Sequence, residues 1–140
     1  MVIWVCVSGY FDPLHVGHIE NFKKARAIGD KLIVIVNNDA QAIQKKRRPF
    51  MAADERIKII EELRCVDKVV KSIDLDRTVR VTLVSIDPSP SFFCNGGDQN
   101  NDTIPEAAIC SQLGIELRDG FGDKIQSSSW LINANKNDNY

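Results

Sequence analysis

The two histidines of the chain fall in one short segment, Ser8-Gly9-Tyr10-Phe11-Asp12-Pro13-Leu14-His15-Val16-Gly17-His18. His15 and His18 stand around Gly17, just before a stretch with helical periodicity. With His18 in the first turn of that helix, His15 lies on the same side, since residues three apart are neighbours on a helix surface. Gly17 has no Cβ and lets a phosphate approach the backbone amides. A helix N-terminus already favours anions through its unpaired N–H groups and its dipole. Two imidazoles added there give donors aimed at a polyphosphate, the demand of phosphoryl or nucleotidyl transfer. The plain alternative is a pair of polar histidines, partly exposed beside a helix cap.

A second group of charges follows. Lys45-Lys46-Arg47-Arg48 is a concentrated basic run, and such runs are ordinarily solvated loops. Its place directly after a buried strand favours a ligand role, because cations facing the histidines would offset repulsion between two incoming phosphates. Arg56 and Arg64 sit about 80° apart in azimuth on a straight helix, near enough to share a broad face. Without further context, both read equally well as surface arginines making contacts one turn away. Asn95-Gly96-Gly97-Asp98 is a turn signal after a strand. Ser127, Ser128 and Ser129 can cap a helix and leave hydroxyls for a phosphate.

The elements that must position these groups are legible from apolar patterning. Val2 to Val7 is a continuous β-branched run, as expected of a strand buried on both faces of a parallel sheet. Ile19, Phe22, Ala25 and Ile28 recur at helical spacing, closed by Gly29-Asp30 in the manner of a glycine C-cap. Lys31 to Val36 is a second buried strand, completing a βαβ unit with a right-handed crossover. The basic run then reads as a loop, Asp54 as the cap of the next helix, and Val66 to Ile73 as a third strand. Arg77 to Ile86 fits a strand by alternation and a helix by element order. A strand at Ser91 to Cys94, a helix at Pro105 to Leu113 closed by Gly114, a strand at Ile115 to Leu117 and a final helix from Ser127 complete the chain. The expected class is α/β: a Rossmann-like, doubly wound, mostly parallel five-stranded sheet with helices on both faces. Ligands of such sheets bind at the carboxyl ends of the strands, near the switch in strand order.

Length and composition frame this reading. The chain has 140 residues, 44% hydrophobic and 26% charged, as expected of one globular domain over residues 1–134 with a flexible tail at 135–140. A net charge of −1 gives no global attraction to nucleic acid or to an anionic membrane, so neither partner is expected. Cys6, Cys65, Cys94 and Cys110 show no metal-ligand spacing and read as reduced core thiols, which favours a cytoplasmic setting. No apolar run reaches membrane-spanning length.

The segment GYFDPLHVGH resembles the HxGH signature of the cytidylyltransferase-like nucleotidyltransferase superfamily, and is similar to that of glycerol-3-phosphate cytidylyltransferases and heptose-phosphate nucleotidyltransferase domains. The basic run, the segment from Asp54 to Asp67, the Asn95 to Asp98 turn and Lys124 to Trp130 resemble further family blocks in the same order. The resemblance implies transfer of CMP from CTP to a small phosphorylated or phosphonate acceptor, with release of pyrophosphate. Transfer of AMP from ATP is the alternative, and a nucleotide-binding protein without activity is a second. It implies catalytic roles for His15, His18 and Lys45. Nucleotide contacts would come from Gly9, Tyr10, Phe11, Gly17, Arg64, Gly97, Asp98, Lys124, Gln126, Ser127 and Ser128, and acceptor contacts from Asp12, Lys46 and Arg56. Mg²⁺ is expected with the triphosphate, with no fixed protein metal site, and a homodimer is expected, with Trp130 as a residue to cover. The chain departs from the pattern at Lys124, where an arginine is usual and where lysine offers no bidentate fork, and at Tyr10, where threonine is commoner.

Overall fold

A computed structural model describes residues 1–46, 48–96 and 104–121. Five parallel strands form one sheet in the order β3-β2-β1-β4-β5: β1 (Trp4–Gly9), β2 (Lys31–Val36), β3 (Lys68–Lys71), β4 (Phe92–Gly96) and β5 (Glu116–Phe121). The helices are α1 (Val16–Arg26), α2 (Asp39–Lys46), α3 (Ala53–Glu61), α4 (Arg80–Ser85) and α5 (Ala107–Leu113). The chain winds outward from β1 through β2 to β3, then returns to β1's other side for β4 and β5. This is the Rossmann-like arrangement expected, and its strand order switches between β1 and β4.

Strand periodicity divides the core in two. Leu32, Val34 and Val36 of β2 join Val5 and Val7 of β1 on one face, packed against Phe22 and Ala25 of α1 and Ile60 of α3. Ile33 and Ile35 join Cys6 and Phe93 on the other face, against Leu83 of α4 and Cys110 of α5. Burial raises the thiol pKa of Cys94 to about 12 and that of Cys110 to about 11, and Cys6 is raised as well, so these sulfurs behave as protonated core groups. No helix among the described residues is long and apolar enough to cross a membrane.

Several expectations are corrected at element ends. Arg80 to Ser85 is helical, so the alternation of Val79, Val81 and Leu83 misleads: Val79 and Leu83 are buried while Val81 is exposed, as on a helix. The basic run is not all loop, since Lys45 and Lys46 are the last residues of α2. The signal for that helix was Asn38, whose Oδ1 accepts from Gln41 N at 2.9 Å in the manner of an N-cap. Asp54 does not cap α3; its N-cap is Ala52, and the Ala53 amide donates to Asp39 Oδ1 instead. Gly29 is not the cap of α1 either, as that role falls to Ala27 in right-handed conformation. A Cβ at Gly29 would lie 2.8 Å from side-chain atoms of Ile3 and Val5, so close packing against β1 demands the glycine. Gly114, with φ of 73°, does close α5 as a left-handed cap. The expected helix from Ser127 lies outside the described residues.

Candidate functional site

His15 is the N-cap of α1, and here an imidazole does what a serine or aspartate ordinarily does. Its Nδ1 accepts from Gly17 N at 3.1 Å, while His18 Nδ1 accepts from His15 N at 3.1 Å, a reciprocal capping box made from two histidines. A backbone N–H can only donate, so both Nδ1 atoms are deprotonated acceptors. Each neutral ring therefore carries its proton on Nε2. The rings stack with centroids 3.8 Å apart and planes 22° from parallel. Both side chains are half-buried, and His15 Nε2 is shielded from solvent with no hydrogen-bond partner among the described residues. Burial lowers the His15 pKa below its usual value, which keeps the ring neutral near pH 7.

Phe11 braces this pair from beneath. Its ring meets His18 edge-on at 5.0 Å and Phe22 at 5.2 Å, and it is 6% exposed. The backbone at Phe11 has φ of 53°, a left-handed conformation uncommon for an aromatic residue. Gly9 makes the fold-back possible, because a Cβ there would lie 2.8 Å from the Phe11 ring. The ring of Phe11 is thus part of the core beneath the histidines. The Gly17 amide donates to His15 Nδ1.

Two further residues expected to touch the acceptor are structural. Asp12 is fully buried, and its carboxylate accepts from Phe50 N and Met51 N, each at 2.7 Å. It ties the segment entering α3 to the loop after β1. Arg56 is 1% exposed and spends its guanidinium on Met51 O (2.9 Å), Tyr10 O (2.7 Å), Asn37 O (2.9 Å) and Asp39 Oδ1 (2.9 Å). Those partners come from the chain just after β1 and β2, the start of α2 and the segment entering α3, so Arg56 pins together the loops around the site. A third correction concerns Arg64, which lies beyond the end of α3 in an exposed turn before β3. That turn sits at the amino ends of the parallel strands, opposite the histidines.

A cleft of about 610 Å³ opens at the carboxyl ends of β1, β2 and β4, where the strand order switches. Gly9, Tyr10 and Lys45 line it, with Arg77, Thr78 and Glu106 among the residues that sequence reasoning missed. Lys45 Nζ lies 4.4 Å from the centroid of the Tyr10 ring. Glu106 is 8% exposed and accepts from Val79 N at 3.0 Å. Its only sequence signal was a carboxylate following Pro105 at a helix start. Neither histidine is among the described residues that line this cleft, so the histidine pair at the start of α1 and Lys45 at the end of α2 do not form one pocket wall. No cluster of three or more His, Cys, Asp or Glu side chains is placed to hold a metal among the described residues. The side chain of Lys46, and Gly97, Asp98, Lys124, Gln126, Ser127 and Ser128, lie outside what is described.

The chain is 38% identical over 99 residues to the FAD synthase of Thermococcus kodakarensis, covering 66% of each protein. It is 31% identical over 124 residues to the bifunctional protein HldE of Geobacter sulfurreducens, covering 87% of this chain and 23% of that one. It therefore spans about two thirds of the first relative's length and about a quarter of the second's. The solved structure of a lipopolysaccharide core biosynthesis protein from Thermoplasma volcanium superposes with a TM-score of 0.69 at 29% identity, covering 86% of this chain and 95% of that one. The cytidylyltransferase-like family model matches residues 6–136, nearly the whole chain, and with the parallel sheet and the histidine-capped helix in place, the chain belongs to the cytidylyltransferase-like family.

Proposed function

We propose that the protein is a nucleotidyltransferase that joins AMP from ATP to a small phosphorylated acceptor and releases pyrophosphate. The observation that carries the reading is the histidine capping box, which fixes two stacked imidazoles with the proton of each on Nε2. In the reaction, an acceptor phosphate oxygen attacks the α-phosphorus in line, a new phosphorus–oxygen bond forms, and the bond to the β-phosphate oxygen breaks. Such chemistry needs positioning and charge neutralisation more than a nucleophilic side chain. His15 and His18 donate to the α-phosphate as its charge develops, with no reorganisation at the moment of reaction. Lys45 bridges acceptor and triphosphate. Gly97 and Asp98 read the nucleoside, and Lys124, Gln126, Ser127 and Ser128 hold the departing pyrophosphate. Mg²⁺ enters with the triphosphate.

The choice of ATP over CTP rests on the FAD synthases, whose named product contains an adenosine monophosphate half. CTP is the second reading, favoured by the family to which the chain belongs. A cytoplasmic homodimer without nucleic-acid or membrane partners completes the proposal. Pyrophosphate release is to be followed with ATP and with CTP against flavin mononucleotide, sugar phosphates and phosphorylated alcohols. Release with one nucleotide and one acceptor class supports the reading. Nucleotide binding without release across the whole panel would favour a protein that kept the pocket and lost the activity.

A further inference from the structure

Gln41 is fully buried on α2 and forms a junction between α2, the end of β3 and the chain that leads into α4. Its Oε1 accepts from Asn37 Nδ2 at 3.1 Å, from Asn38 N at 2.9 Å and from the Ser72 hydroxyl. Its Nε2 donates to Asp76 O at 2.6 Å and to Thr78 O at 2.8 Å. A backbone N–H only donates and a peptide carbonyl only accepts, so a single orientation of the carboxamide serves all five partners. Both of its protons are spent on the two carbonyls that flank Arg77. A buried carboxamide is tolerated only when its groups are paired, and here the pairing fixes one short segment of chain.

Arg77 lines the cleft, and its charge reaches the Tyr10 phenol there. The nearby carboxylates are turned to other work. Asp76 pairs with Arg80 at 2.9 Å and accepts from Thr78 N at 2.9 Å, Asp74 takes the Val81 and Thr82 amides, and Glu106 takes that of Val79. Arg77 thus makes no ion pair among the described residues. A guanidinium is a planar fork suited to an oxyanion, and this one stands on a segment clamped from beneath. The phosphate that reacts belongs beside His15 and His18, neither of which lines the cleft, so an anion met by Arg77 is a different one.

We propose that Gln41 is a positioning residue for acceptor choice: it clamps the segment from Asp76 to Thr78 so that Arg77 selects an acceptor bearing a second anionic group besides its reacting phosphate. The inference rests on the nucleotidyltransferase reading and deepens it by naming the acceptor class. Gln41 touches no substrate, and its whole effect passes through Arg77.

The test is calorimetric titration of the intact chain with 3-phosphoglycerate and with glycerol 3-phosphate, which share a phosphate and a three-carbon skeleton and differ by one carboxylate. The variants are Arg77→Gln, Gln41→Met, which keeps the side-chain volume and removes both donors, and the two combined. Wild type binds 3-phosphoglycerate on the order of tenfold more tightly, the usual effect of a charge-assisted pair. Each single variant loses that preference with its glycerol 3-phosphate affinity within about twofold of wild type, and the double variant loses no more than either single. A merely structural role for Gln41 weakens both probes alike and overturns the proposal. So does equal or unmeasurable binding of the two probes by wild type, or a preference that survives in either variant. Should Gln41→Met not fold, Arg77→Gln and the wild type decide by NMR. The Gln41 side-chain amide protons then exchange slowly, and the Arg77 Nε–H signal moves with 3-phosphoglycerate and not with glycerol 3-phosphate; fast exchange or an unmoved signal overturns the proposal. Pyrophosphate release by a wild type that shows no preference removes this proposal and leaves the functional reading standing. A preference that follows Gln41 and Arg77 in a protein that releases none sustains the anion seat and fails the functional reading.

Discussion

His15 and His18 cap one another: the Nδ1 of His18 takes the backbone proton of His15, and the Nδ1 of His15 takes that of Gly17 at the start of the same helix. One arrangement therefore sets helix entry, ring orientation and tautomer together. Two cationic rings with centroids 3.8 Å apart would repel, so the stack also favours neutral donors over imidazolium.

Replacing His18 with asparagine separates these roles. An asparagine carbonyl can still accept the His15 N–H, but nothing occupies the Nε2 position. The expected result is nearly unchanged stability and a kcat lower by on the order of a hundredfold, since one preorganised donor is worth about 3 kcal/mol. Melting curves and initial rates of pyrophosphate release measure both. Turnover within a few-fold of wild type would remove His18 from the chemistry.

The depressed His15 pKa carries a pH dependence of defined sign. The unfolded chain takes up its proton near 6.5, whereas the folded chain does so only at lower pH. Between those values the unfolded state holds more protons, so stability falls as pH drops through about 6.5 and levels off above it. Denaturation midpoints at pH 7.5 and 5.5 should differ more in wild type than in His15→Asn, which keeps a good N-cap and cannot titrate. Equal pH dependence in the two proteins would contradict the assignment.

Arg56 should behave as a structural residue. Arg56→Ala leaves three backbone carbonyls and the half-exposed Asp39 carboxylate without their donor and is expected to cost on the order of 3 kcal/mol, as for acceptors left unpaired in the fold. Chemical denaturation gives the loss. A variant of normal stability with weakened acceptor binding would return Arg56 to the phosphate.

Gly9→Ala tests the bracing of the pair. The added methyl meets the Phe11 ring at 2.8 Å, and that ring contacts His18, so both stability and kcat should fall, with overpacking costing about 1–3 kcal/mol. Unchanged activity in Gly9→Ala would show that Phe11 does not hold the histidine in place.

Much of this was legible in the sequence for a physical reason. Buried parallel strands need unbroken apolar runs, and Val2 to Val7 and Lys31 to Val36 announce themselves as such. The histidine pair was legible because its spacing is a helical spacing. Arg56 and Asp12 were misread because residue type says that a group is charged, while burial decides which partners it finds: both charges are consumed by backbone groups distant in sequence. The cleft residues Arg77 and Thr78 were not legible, and Glu106 carried only a helix-start signal, since tertiary folding alone brings the segment before α4 beside the start of α5.

The most direct test of the central claim is single-turnover pyrophosphate release by wild type, His15→Asn and His18→Asn, with saturating nucleotide and a working acceptor. The account predicts that each substitution slows the chemical step on the order of a hundredfold while the nucleotide dissociation constant moves much less, because the Nε2 donors act mainly as charge develops on the α-phosphate. Wild-type rates in both variants, or losses confined to nucleotide affinity, would contradict it.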